Sequence, residues 1–176
     1  MATWERWIHG DLTPQHFDWL RALPKTLTRG DLLLCHGTPR NDAENWLDER
    51  GPDHRMHMAS AADIAARCYG ARAPVILCAH THVPRIVRLQ DGRLIVNPGS
   101  VGVPAYLDIR PDPPFEMETG APDARFGILE KAGSAWQASL HMAAYDPRRM
   151  IALAESRGTG IWTAPLATGF ARGFAG

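Results

Sequence analysis

The segment Val75-Ile76-Leu77-Cys78-Ala79-His80-Thr81-His82-Val83-Pro84 constrains this chain most. Four apolar residues after Pro74 predict a short buried strand. The two histidines stand where that strand leaves the sheet, the usual position of sites in open α/β sheets. In extended backbone, residues two apart point the same way and lie roughly 6.6 Å apart along the strand. The two ions of a binuclear centre stand about 3.5–4 Å apart. Imidazoles at this spacing can take one ion each, grip one ion together, or only make hydrogen bonds. A second segment, Asp31-Leu32-Leu33-Leu34-Cys35-His36-Gly37-Thr38-Pro39-Arg40, repeats the design. Leu32 to Cys35 predicts a second buried strand, His36 ends it, and Gly37 with Pro39 turns the chain.

With Asn97-Pro98-Gly99-Ser100-Val101-Gly102, these stretches carry a family resemblance. The chain resembles the calcineurin-like metallophosphoesterases, specifically their small bacterial phosphodiesterase branch. That family's late motifs are a His-Gly after one strand, Gly-His-x-His after another, then a hairpin and Asn-Pro-Gly-Ser. All three occur here in order, over about residues 1–150, with Ala79 in place of the usual glycine. The early motifs, Asp-x-His, Gly-Asp and Gly-Asn-His-Asp or Gly-Asn-Cys-Asp, do not lie upstream of His36. Gly10-Asp11 leads into a helix start and has no strand before it. The resemblance is therefore to the C-terminal part of such an enzyme. The absent part would carry the bridging aspartate and the asparagine and histidine that face substrate.

The resemblance implies an α/β fold, the C-terminal portion of a two-sheet αββα sandwich with mixed strands and outer helices. It implies divalent transition metal (Mn, Fe, Zn or Ni), two ions in a complete site. His36 and His80 would serve one ion and His82 the other. A phosphate ester is the implied substrate, with Arg40 as a candidate contact and no catalytic residue assigned. Three readings stay open: a hydrolase lacking its N-terminal motif half, a non-catalytic binding or interaction module of the same fold, or an unrelated α/β domain with structural histidines.

Lys plus Arg and Asp plus Glu each number 19, a formal net charge of zero. That argues against general nucleic-acid or membrane-surface binding, which needs a basic excess. Three cysteines without paired spacing fit reduced thiols in a cytoplasmic protein. Residues 1–156 are expected to form the partial metallophosphoesterase domain, and 157–176 a flexible or loosely packed tail.

Between the motifs, the patterning predicts a helix capped by Thr13 and Pro14, with Phe17, Leu20 and Leu23 on one face. A hairpin delivers His36. A short helix is expected around Ala43 to Glu49. His54 and His57 fall in a polar loop and are expected to be solvent-exposed or to face substrate. Ser60 caps a crossover helix with Ile64 and Cys68 on its buried side. Asp91-Gly92 marks a hairpin, the proline-rich stretch 107–124 is expected to be an irregular loop, and two further strands precede a helix after Asp146-Pro147. Trp4 and Trp7 near the start, together with continuous apolar strands, point to an open edge. That edge would recruit a second copy or the absent N-terminal segment.

Overall fold

A computed structural model describes residues 3–109 and 113–172. Helix α1 (Thr3–Asp11) and helix α2 (Pro14–Ala22) come first. The Thr13 hydroxyl accepts from the His16 amide while His16 Nδ1 accepts from the Thr13 amide, so α2 starts with a reciprocal cap. Its apolar face stays open: α2 buries no residue, and Trp19 is 63% exposed. Trp7 lies under the Arg157 guanidinium, 3.6 Å from carbon to ring centre. The side chain of Trp4 lies outside the described residues.

The hairpin of β1 (Thr26–Arg29) and β2 (Leu32–Cys35) follows. Next come β3 (Asp48–Arg50), β4 (Met56–Met58), the crossover helix α3 (Ala61–Ala66) and β5 (Val75–Leu77). The Asp91-Gly92 hairpin joins β6 (Arg85–Arg88) to β7 (Leu94–Asn97). One five-stranded sheet results, in the order β1-β2-β5-β7-β6. Its three central strands are parallel and both edges antiparallel. Parallel neighbours need a crossover, and α3 supplies it between β2 and β5.

Alternation along these strands sorts two cores. Ile76, Cys78 and Ile95 face Ile64 and Cys68 of the α3 segment, joined by Trp46 and Leu47. Val75, Leu94 and Val96 face the other way, against Leu129, Trp136, Ala138 and Leu140. Those partners come from a long ribbon, β10 (Ala124–Ala132) with β11 (Ala135–Ala143), which follows β8 (Ala105–Asp108) and β9 (Phe115–Glu118). The architecture is mixed α/β, with a helix and loops on one face of the sheet and a β-ribbon on the other. Although β7 is buried throughout, all four residues of β2 are only half-buried. The apolar run Leu32 to Cys35 promised full cover on both faces; beside it β1 leaves Leu27 exposed, so this flank is thinly covered.

Two stretches differ from their sequence reading. Residues 43–47 are turns, because Asn41 Oδ1 accepts the Ala43 amide and Thr38 gathers the Asn41 amide and the Glu44 carboxylate. Trp46 and Leu47 then drop consecutively into the core, at 2% and 1% exposure, which no single helix face would achieve. Within 107–124, β8 pairs with β9, where Phe115 and Met117 are buried and Glu116 and Glu118 are not. Residues 110–112 of that stretch lie outside the described residues.

The segment set apart as a loose tail contains a 3-10 turn (Gly160–Trp162) and helix α5 (Thr163–Thr168), after helix α4 (Arg148–Ser156). Pro165 and Leu166 are buried there, and the Gly169 carbonyl accepts from the Thr119 and Gly120 amides. Residues 173–176 are outside the described set. Among the described residues, no helix is long and apolar enough to cross a membrane.

Candidate metal centre

β2, β5 and β7 run parallel, so their C-terminal ends lie side by side. Those ends carry His36, the Ala79-His80-Thr81-His82 turn, and Asn97. The Ala79 amide donates to the His36 carbonyl, which brings the two histidine segments together beyond the last paired strand residues. The His36 and His80 rings meet edge-on, with centroids 5.4 Å apart. With metal–nitrogen bonds of about 2.1 Å, two imidazoles sharing one ion stand at comparable separation.

His82 is placed differently. Its Nδ1 lies 2.9 Å from the Val103 carbonyl and its ring edge meets Tyr106. A carbonyl only accepts, so Nδ1 carries the proton and Nε2 keeps its lone pair, the tautomer arrangement common in metal-ligating histidines. Burial depresses the His82 pKa, the Val103 hydrogen bond opposes that, and nearby His36 adds to it. The neutral ring that results is the form that binds metal.

Both His80 (φ 67°) and His82 (φ 61°) sit in left-handed backbone. For non-glycine residues this costs about 1–3 kcal/mol each and persists only where surroundings over-determine it. The surroundings are a buried polar cluster behind Thr81, which is itself 2% exposed. Thr81 Oγ1 donates to Asp48 Oδ2 at 3.2 Å and accepts from Asn97 Nδ2 at 3.2 Å. Asn97 Nδ2 also donates to the Ala79 carbonyl at 2.7 Å, and Asn97 Oδ1 accepts the Gly99 amide. Asp48, fully buried, receives Arg85 Nε and Nη2 on Oδ1, both at 2.6 Å. Burial pushes the Asp48 carboxyl pKa up, against the pull of Arg85 and Thr81.

The loop after His36 is closely folded. A Cβ on Gly37 would stand 2.6–2.7 Å from the carbonyl oxygens of Asn41, Asp42 and Glu44, so only glycine fits. Glu44 is engaged by the Tyr69 and Thr38 hydroxyls, each at 2.7 Å, and those bonds lower its pKa. Arg40 is exposed and stacks on the Tyr69 ring at 4.9 Å. His54 is exposed, and His57, on β4, pairs with Asp53 at 2.7 Å. Burial, then Asp42, raises the Cys35 thiol to about 11. Burial raises Cys78 as well.

Among the described residues, no three His, Cys, Asp or Glu side chains group closely enough to hold an ion. Of the three histidines, His36 and His80 come together, and His82 stands apart with its Nδ1 held by the Val103 carbonyl and its Nε2 free to accept. Two nearby acids are engaged elsewhere: Glu44 is held by Thr38 and Tyr69, and Asp48 by Arg85 and Thr81.

No family model matches the sequence, and no curated protein sequence is similar to it. A solved structure is similar in fold: the metallophosphoesterase from Sphaerobacter thermophilus, at a TM-score of 0.60 and 23% identity. The match covers 87% of this chain and 62% of that one, so the chain spans less than two thirds of its structural neighbour.

Proposed function

We propose that this chain is the histidine-bearing part of a metal-dependent phosphoesterase, acting on a phosphodiester or phosphomonoester. The observation that carries the reading is the convergence of His36 and His80 at the ends of two neighbouring parallel strands, with His82 two residues on and held through Nδ1 by the Val103 carbonyl. His36 and His80 would hold one ion and His82 the other, with the carboxylates coming from polypeptide beyond the described residues. A divalent pair in such a site lowers the pKa of an attacking water and neutralises phosphoryl oxygens. Mn, Fe, Zn and Ni all suit imidazole donors. Arg40 would need to leave Tyr69 to reach a phosphate. A second reading, a non-catalytic binding module of the same fold, is favoured because, among the described residues, no three His, Cys, Asp or Glu side chains group as an ion site.

Metal binding tests the first reading. Calorimetric titration with Mn(II) or Zn(II) is expected to give weak binding that His80→Ala reduces by about tenfold or more, as loss of one of few ligands should. Equal binding by both proteins removes His80 as a ligand.

The thin cover over β1 and β2, and the open face of α2, lead to a second expectation. Such flanks recruit other chains. Light scattering over a dilution series should give an apparent mass that falls towards the 19.4 kDa chain mass. A constant monomer mass at every concentration would mean that the flank is tolerated bare.

A further inference from the structure

We infer that Asp48 is a positioning residue for the His80-Thr81-His82 turn and acts through Thr81. The inference rests on the reading of those histidines as ligands. Asp48, on β3, lies 33 positions before Thr81 and shows no exposed surface. Its two oxygens are divided: Arg85 of β6 takes Oδ1 and Thr81 takes Oδ2. Asn97 closes the other side of the Thr81 hydroxyl and also holds the Ala79 carbonyl just before the turn. The middle residue of the turn is thus pinned inward from two strands. Its neighbours His80 and His82 are left partly exposed, in the left-handed backbone that such pinning must maintain.

The anchor is continuous with the core. Trp46 and Leu47, directly before Asp48, are buried, and the Leu47 carbonyl accepts the Ala59 amide. Asp48 in turn faces Met58 across the β3–β4 pair. The carboxylate therefore cannot follow the turn if the turn moves. A buried ion pair is weak evidence for stability on its own, since apolar replacement often does as well. What singles out this one is that the second oxygen is directed at a threonine flanked by two candidate ligands.

Thr81→Val removes the hydroxyl at nearly constant shape, Thr81→Ser keeps it, and Asp48→Asn keeps the shape and loses the charge. Three measurements are made: the imidazole NMR resonances of His80 and His82 in metal-free protein, Mn(II) affinity, and the urea midpoint. Thr81→Val and Asp48→Asn are expected to shift both sets of resonances and weaken Mn(II) binding by about ten- to a hundredfold, the range for groups that orient metal ligands. Thr81→Ser is expected to restore both towards wild type. Ile64→Val, a core change elsewhere, should lower the urea midpoint and move neither.

Unshifted histidines with unchanged affinity in Thr81→Val overturn the inference, as does a Thr81→Ser protein as impaired as Thr81→Val. If Thr81→Val does not fold, Asp48→Asn against Thr81→Ser carries the same comparison. If the wild type binds no Mn(II), the metal reading fails instead, and the metal-free resonances decide the positioning role alone.

Discussion

Trp46→Ala is expected to lower the unfolding free energy by about 3–5 kcal/mol, the usual cost of truncating a buried tryptophan. That is a large share of the roughly 5–15 kcal/mol available to a domain. The side chain is 2% exposed and clusters with Leu47, Ile64, Cys68, Ile76 and Ile95. Its Nε1 donates to the Ile64 carbonyl at 2.9 Å, so it ties the loop after His36 to the crossover helix. Truncation opens a cavity between sheet and helix and leaves that carbonyl without its donor. Trp46→Phe keeps most of the bulk and should cost less, about 1–2 kcal/mol for the lost hydrogen bond and partial void. Trp19→Ala, at 63% exposure on a helix that buries nothing, should change stability by about 0.5 kcal/mol or less. Urea unfolding measures all three. A Trp46→Ala midpoint no lower than that of Trp19→Ala would mean the loop is not packed as described.

The parts legible in the sequence were those written in local periodicity and turn chemistry. Leu32–Cys35 and Val75–Leu77 are strands, Ser60 caps the crossover helix, Thr13 and Pro14 start α2, and Gly92 turns its hairpin. The placement of His36 and His80 at adjacent strand ends followed from the same signals. Asp48 was not legible. It stands among Asp42, Glu44, Glu49 and Arg50, where another acid reads as solvated surface, and its partners Thr81 and Arg85 lie more than 30 residues away. Burial of such a residue is a tertiary fact that no local window carries. The β8–β9 pair was half-legible: Phe115-Glu116-Met117-Glu118 alternates as a strand should, but prolines nearby dominate the reading. α5 was obscured by the glycines around it. One of them, Gly169, ends the helix in left-handed backbone and packs on Ala121.

Hydrolysis of bis-p-nitrophenyl phosphate by this chain with added Mn(II) is expected to fall orders of magnitude short of the roughly 1–1000 per second typical of enzymes. The reason lies in the donor set. Imidazoles alone bind an ion, but an in-line displacement between two ions needs them held about 3.5–4 Å apart by a bridging group. Glu44 is tied to Thr38 and Tyr69, and Asp48 to Arg85 and Thr81. Releasing either would leave buried or hydrogen-bonded partners without their acceptor, at a cost of about 1–3 kcal/mol per group. Neither carboxylate is therefore a ready reserve for the metals. His82→Ala should leave the residual rate unchanged, because the described residues form no complete centre to lose. Fast turnover that disappears in His82→Ala would reverse this: the site would be complete, with its carboxylates brought by a second chain. In that case activity should fall on dilution in step with the scattering mass.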